Sequence, residues 1–381
     1  MAIINRLFRF KLLKIKAVAK TKSRLIKTMK KIISAIIALL FALVVGFFVL
    51  NGSASPTPTA PTRGLPTAVP NVPDRADSGA VIGAAARVEL FSFPETDEAI
   101  LLDQIKTARQ RVYMKMYLLT ETRVIDALIK AKNNGAEVRA MVEQNPFGGG
   151  STARTAFDKL KAVGINVKYT NPTFRFTHEK SFVIDNAAWI LTANMTRGAL
   201  SGNREFGVIH TDQEDVNEIV RAFEADWNRE RFVPKSAALV WSPVNARERI
   251  TRLIDSANSS ITVYCEIAQD DGLIQALTAA QKRGAKVRLL ISPASNPDSD
   301  GNKDDLDKLQ RSKIKVRYLK SPYMHAKTYV VDDKIAFVGS QNISTTSLEF
   351  NRELGIVFTD LTAIRLLNEI FDKDWDKATD R

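Results

Sequence analysis

The sequence predicts an α/β protein. Two tandem repeats of strand and helix are expected to pack about a pseudo-two-fold axis. A single N-terminal hydrophobic helix and a disordered linker precede them. Three observations predict this. From about residue 87, short apolar runs alternate with amphipathic helical patterns. Passages in the second half repeat passages in the first at a nearly constant spacing. Before residue 87 the composition is that of a basic arm, an apolar run and a proline-rich stretch, none of which builds a core.

Residues 1–31 carry eleven Lys and Arg and no acid. They account for most of the net charge of +13, because the rest of the chain holds 44 bases against 42 acids, a net of +2. A broad phosphate-backbone footprint on the folded body is therefore not expected, and nucleic acid is not the expected partner. Residues 32–50, IISAIIALLFALVVGFFVL, are nineteen uncharged and mostly apolar residues, enough to span a bilayer as a helix. The basic flank places the N-terminus in the cytoplasm and the remainder outside. An uncleaved anchor and a signal peptide cut near Ala54 are both compatible with the segment, and the run from Met29 reads as a complete signal in itself. Residues 51–86 hold six of the fourteen prolines and read as a semi-extended linker. One cysteine, Cys265, excludes an internal disulfide.

The first repeat is placed at 87–235 and the second at 236–381. RVYMKMYLL (111–119) reads as a strand, and 121–136 as a helix with Val124, Leu128 and Ala131 on one face and a glycine stop. VIDALIKAKNNGAEVRAMV (124–142) answers to LIQALTAAQKRGAKVRLLI (273–291), and GNREFGVIHTD (202–212) to FNRELGIVFTD (350–360). AFEADW (222–227) answers to IFDKDW (370–375), all at offsets of 148 to 149. HEKSFVID (178–185) has its partner in HAKTYVVD (325–332), 147 residues later. His178 thus pairs with His325, Lys180 with Lys327 and Asp185 with Asp332. Downstream, Asn194 pairs with Asn342 and Glu205 with Glu353. A duplicated core keeps its packing residues; it has less packing reason to keep His, Lys, Asn and Glu together in both copies. The third histidine, His210, aligns with Phe358 in an apolar strand and reads as structural.

A doubled His-x-Lys-x4-Asp, each copy followed by Ser/Thr-x-Asn and a later Glu, is similar to the phospholipase D superfamily. The resemblance covers residues 87–381. It implies tandem phospholipase D-like repeats and phosphodiester chemistry, with both half-sites on one chain and hence a monomer. One departure stands out. The second copy has Gly339-Ser340 where the first has Leu191-Thr192, and the preceding turn of the first is one residue shorter.

In that chemistry Lys180 and Lys327 neutralise the phosphate. Asn194 and Asn342 hydrogen-bond its oxygens, assisted by Thr192 and Ser340. One imidazole attacks phosphorus and the other protonates the leaving alcohol. By resemblance His178 is the nucleophile and His325 the acid. Glu205 and Glu353 are placed to orient the rings. Asp185 and Asp332 each end a strand, where turn chemistry alone explains an Asp. Glu266, opposite Tyr117 in the repeat, is open to a cleft-lining role or to a buried or solvated pair.

No metal or cofactor is expected. His178-Glu179 begins like a zinc-protease motif, but Phe182 stands where the second His is needed. The Gly-rich 145–152 lacks the Lys of a phosphate loop and reads as a loop beside the cleft. The leading expectation is a phospholipase D that hydrolyses headgroup phosphodiesters at a membrane surface. The alternatives are a cardiolipin-synthase-like phosphatidyltransferase, an exported metal-independent nuclease, and a non-catalytic phosphate or lipid binder.

Overall fold

A computed structural model describes residues 86–147, 150–295 and 300–381, all within one compact unit, 68–381. The basic arm, the apolar run and the linker up to residue 85 lie outside the described residues, as do Gly148 and Gly149 of the Gly-rich stretch. Among the described residues no helix is long and apolar enough to cross a membrane.

The first repeat runs β1 (Val88–Phe93), α1 (Ala99–Thr107), β2 (Arg111–Met116), α2 (Thr122–Asn133), β3 (Glu137–Val142), α3 (Gly150–Ala162), β4 (Asn166–Tyr169), β5 (Lys180–Ile184), β6 (Ala187–Leu191), α4 (Arg197–Ser201), β7 (Asn203–His210) and α5 (Gln213–Asn228). The second runs β8 (Leu239–Ser242), α6 (Ala246–Asp255), β9 (Ser260–Tyr264), α7 (Asp271–Arg283), β10 (Lys286–Ile291), α8 (Lys303–Arg311), β11 (Lys315–Tyr318), β12 (Tyr323–Met324), β13 (Thr328–Val331), β14 (Ile335–Gly339), α9 (Thr345–Glu349), β15 (Glu353–Phe358), α10 (Leu361–Lys377) and β16 (Thr379–Asp380). The sequence places a strand over 111–119, but β2 stops at Met116, and the chain beyond it pairs with Met195 instead, through Leu118 to Glu121.

Each repeat builds one mixed sheet. The orders are β1-β7-β6-β5-β2-β3-β4 and β16-β11-β10-β9-β13-β14-β15-β8. The parallel pairs β2–β3 and β9–β10 sit inside their sheets and read as apolar runs, as strands covered on both faces do. The helices between them stop alike. Gly135 at φ +95° and Gly284 at φ +106° take the left-handed conformation that ends α2 and α7. One face of the first sheet packs with α1 to α4. Its other face joins a core that continues through the second repeat.

Reciprocal contacts tie the repeats together, the signature of a two-fold arrangement. Arg352 grips Asp226 through Nη2–Oδ1 (2.8 Å) and Nε–Oδ2 (2.9 Å). Arg204 grips Asp374 through Nη2–Oδ1 (2.9 Å) and Nε–Oδ2 (2.6 Å). Both pairs are buried and two-pronged, which fixes orientation as well as contributing energy. The backbone interlocks too. β12 pairs with β7, and Thr177 bridges to Arg352. The segment that enters each His-Lys motif is therefore held by the strand start of the opposite repeat.

Candidate active site

The two motifs emerge at the centre of this interlock. The amide of His178 donates to the carbonyl of Arg352 (2.9 Å), and that of His325 to the carbonyl of Arg204 (3.3 Å). Each motif backbone thus lies one residue from the Glu that follows that Arg. The pairing is crossed. His178 Nδ1 lies 3.0 Å from Oε2 of Glu353, and His325 Nδ1 lies 2.7 Å from Oε1 of Glu205. Both carboxylates are fully buried.

The glutamates are themselves fixed, by different partners. Thr192 Oγ1 donates to Glu205 Oε2 (2.6 Å), with Asn203 Nδ2 3.3 Å from Oε1. Ser347 Oγ (2.6 Å) and Asn351 Nδ2 (2.9 Å) donate to Glu353 Oε1. The sequence places Thr192 and Ser340 on the phosphate, and the structure corrects this. Both hydroxyls are fully buried: Thr192 holds Glu205 and accepts from the Phe206 amide, while Ser340 Oγ lies 3.3–3.4 Å from the Leu354 backbone. The hydroxyl of each is used inside the fold. The Leu191/Gly339 difference is absorbed locally. A Cβ on Gly339 would lie 2.5 Å from Oε1 of Gln341, whose counterpart in the first repeat is Ala193. Leu with Ala, and Gly with Gln, fill one space in two ways.

Lys180 and Lys327 are fully buried and each donates Nζ to the carbonyl of its own histidine, at 2.6 Å for Lys180. Burial and the Lys327 charge push the Lys180 ammonium down to about 7. Burial and Lys180 also lower His178, against the pull of Glu353. Burial alone would raise Glu205 and Glu353. The cations beside them, His325 and Lys327 for the first and His178 and Lys180 for the second, hold both below the usual carboxylate range. Asn194 and Asn342 follow β6 and β14, and each leaves a buried Oδ1 without a hydrogen-bond partner in the protein. Matching orphan polar atoms in two repeats are uncommon in a settled core.

The remaining sequence-derived residues fall outside this cluster. Asp185, at φ 50°, accepts from the amides of Arg109, Gln110 and Arg111 at 2.7–3.2 Å. Asp332, at φ 53°, accepts from those of Asn258, Ser259 and Ser260 at 2.7–2.8 Å. Each closes the turn after its strand. His210 sits at the far edge, its Nδ1 3.0 Å from the Arg87 carbonyl and its Nε2 2.8 Å from Asp215. With Asp212 and Asp215 it forms a group of metal-ligand spacing among the described residues. Both its ring nitrogens already face acceptors, and Asp212 caps α5, so the donor set does not fit a metal. Burial pushes the Cys265 thiol up, away from nucleophilic reactivity.

The model of the family described as "Cardiolipin synthase, PLD-like domain" matches residues 101–227 and 250–375. The chain belongs to this family. A cardiolipin synthase of Oceanobacillus iheyensis is 25% identical over 336 residues, covering 77% of this chain and 69% of the relative. A polyphosphate kinase of Yersinia pestis is 27% identical over 262 residues, covering 63% of this chain and 37% of the relative. The crystal structure of phosphatidylserine synthase from Haemophilus influenzae has a TM-score of 0.60 at 13% identity, covering 77% of this chain and 87% of that one, a likeness of fold.

Against that family background the two half-sites are not equal. Tyr117 stands edge-on to the His178 ring, centroids 4.6 Å apart, with Lys180 Nζ 5.2 Å from its centroid. In the second repeat Glu266 takes the equivalent place. Its Oε2 lies 2.9 Å from Lys327 Nζ and 3.4 Å from His325 Nε2. Burial would raise the Glu266 carboxyl, but His325 and Lys327 hold it well below the usual range. Of the uses left open by the sequence, the structure shows the pair: Glu266, 24% exposed, with the buried Lys327. The crossing of the glutamates, and the work of Thr192, Ser347, Asn203 and Asn351, were not read from the sequence. Offset alone identifies equivalents and not partners.

Proposed function

We propose that the chain is a phosphatidyltransferase of the cardiolipin-synthase kind, working through a phosphohistidine. The observation that carries this is the crossed pair of His-Lys half-sites in one chain. The His178 Nε2 lone pair forms an N–P bond while the P–O bond to the leaving alcohol breaks. The departing oxygen takes the Nε2 proton of His325. An acceptor alcohol then returns a proton to His325 as its oxygen attacks phosphorus, and the N–P electrons return to His178. Lys180, Lys327, Asn194 and Asn342 would carry the charge on the phosphoryl oxygens, most strongly in the transition state.

The acceptor decides between transfer and hydrolysis, which share every earlier step. Hydrolysis was the leading expectation from sequence; the cardiolipin synthase relatives favour transfer. We place the reaction at a membrane surface, reached through the apolar run at 32–50. Phe147 suits an acyl-bearing substrate. The residue is 90% exposed, yet its amide donates to the hydroxyl of Tyr117 beside His178 (2.7 Å).

The test supplies the full chain with phosphatidylglycerol in mixed micelles and follows lipid products. Cardiolipin with released glycerol is the expected result. Accumulating phosphatidic acid would make it a hydrolase. Failure to form either product or a phosphohistidine adduct, with phosphatidylglycerol or phosphatidylethanolamine, would sink the lipid reading.

A further inference from the structure

The imidazoles meet equivalent groups except at one position. Each has a buried Glu on Nδ1, a Lys two residues on, and an Asn downstream. The exception is 117/266, where a neutral ring faces His178 and a carboxylate faces His325. Other differences between the repeats near the site come in balanced pairs, as with Leu191 and Ala193 against Gly339 and Gln341. The first repeat has an extra carboxylate of its own, Glu143 where the second has Ser292, but it is held by the Thr170 hydroxyl and the Thr177 amide.

The carboxylates facing the two rings differ accordingly. His178 has one acceptor, Glu353, on Nδ1, so a neutral ring with its proton there is satisfied and keeps the Nε2 lone pair. That is the form that attacks phosphorus. His325 has a carboxylate oxygen within ion-pair distance of each nitrogen, Glu205 at 2.7 Å and Glu266 at 3.4 Å, neither in hydrogen-bond geometry. Only the doubly protonated, cationic ring turns an N–H towards both carboxylates. That is the form that protonates a leaving alcohol. Glu266 also neutralises Lys327, so its carboxylate lies where it touches both cations of the second half-site.

We propose that Glu266 is the positioning residue that assigns the two histidines their roles. It keeps a proton on Nε2 of His325 and thereby leaves His178 to attack. The proposal rests on the phosphohistidine chemistry above but not on the identity of the acceptor.

The leaving group separates this from a structural role. An alcohol needs a proton to depart, whereas 4-nitrophenolate departs without one. Wild type, Glu266→Gln and Glu266→Tyr are compared on phosphatidylglycerol and on phosphatidyl-4-nitrophenol in the same micelles. The tyrosine variant gives the second repeat the residue that the first already packs, so it guards against a folding defect in the amide. The expected result is a loss of about 10–100-fold on the alkyl ester, with the aryl ester kept within about twofold, as for a damaged general acid. Mass spectrometry of the quenched reaction should find the adduct on His178 in wild type. With Tyr117→Glu added to Glu266→Tyr, part of it should move to His325. Equal losses on both esters, or no loss on either, would overturn the proposal, as would an adduct that stays on His178 in the exchanged variant. A wild type that cleaves neither ester and forms no adduct instead removes the function proposed above.

Discussion

The His178 half and the His325 half came from one ancestral unit, and comparing them separates packing from chemistry. At the interface, Asp226 is held by Arg352 and by Lys115 Nζ (2.8 Å), and Lys115 also pairs with Glu179 (2.9 Å). In the other half Asp374 is held by Arg204 and by the hydroxyl of Tyr264 (2.7 Å), and Ala326 stands where Glu179 would be. Lys with Glu in one half answers to Tyr with Ala in the other: the two charges are present or absent together, and neither core holds one without an opposite charge. Burial strongly penalises a lone charge, so such exchanges survive only as pairs. The Tyr117/Glu266 difference is of another kind. It changes the charge that meets one histidine ring, whereas the first repeat's extra carboxylate, Glu143 against Ser292, is held by the Thr170 hydroxyl and the Thr177 amide. A balanced difference reports packing; an unbalanced one at a site reports function.

The largest expected effects test whether the halves act in sequence. His178→Ala should lose at least ~10⁴-fold in turnover and form no adduct. His325→Ala should lose as much with an alcohol leaving group but still form an adduct with the aryl ester. An adduct on His325 in His178→Ala at full rate would make the halves interchangeable.

Next come the two Asp clamps, which should break unequally. Arg204→Ala leaves Asp374 buried with a hydroxyl and no cation, at a cost of about 3–5 kcal/mol in urea unfolding. Arg352→Ala leaves Asp226 its contact with Lys115 and should cost about half as much. Equal losses would mean that Lys115 does not compensate.

The crossed glutamates give a smaller and more specific effect. Glu353→Gln should slow adduct formation by about 10–100-fold, because it disturbs the ring of His178 in the other repeat. Glu205→Gln should spare the aryl ester and slow the alkyl ester. Rapid quench separates the two, and the reverse assignment would mean that each Glu serves its own repeat.

The mildest effect is that of pH on Lys180. Its ammonium is pushed down to about 7 in the folded chain, chiefly by burial and then by Lys327, from a reference near 10.5. Between these values the unfolded chain binds the extra proton, so this group makes stability rise with pH through that window. Lys180→Met should therefore melt above wild type at pH 6, by about 2–4 °C, with the gap closing towards pH 10. Catalysis runs the other way. The charge that binds phosphate is lost above about pH 7, so KM should rise by up to ~10-fold per pH unit there, and Lys180→Arg should flatten the rise. A wild-type KM constant from pH 6 to 9 would show that Lys180 stays charged.

Much of this was legible in the sequence because duplication writes it twice. Offset matching found the repeats, both His-Lys pairs, the two Asn and the two Glu, and it set His210 apart. Asp185 and Asp332 were legible from turn chemistry, which is local. Thr192 and Ser340 were misplaced because a hydroxyl next to a motif carries no sign of which way it points; that depends on the strand register that sends it to Glu205 or to Leu354.

What the sequence determined by itself is therefore an inventory: an α/β repeat made twice, and which side chains are equivalents. Local periodicity and self-similarity are enough for that. Which Glu serves which His was decided only by the tertiary structure. The same eight residues could have been paired within each repeat. The interlock of Thr177 with Arg352 and of β12 with β7 crosses them instead, through backbone bonds between residues more than a hundred positions apart. The same packing turned Tyr117 and Glu266 from two aligned letters into the difference between a ring that faces one carboxylate and a ring that faces two.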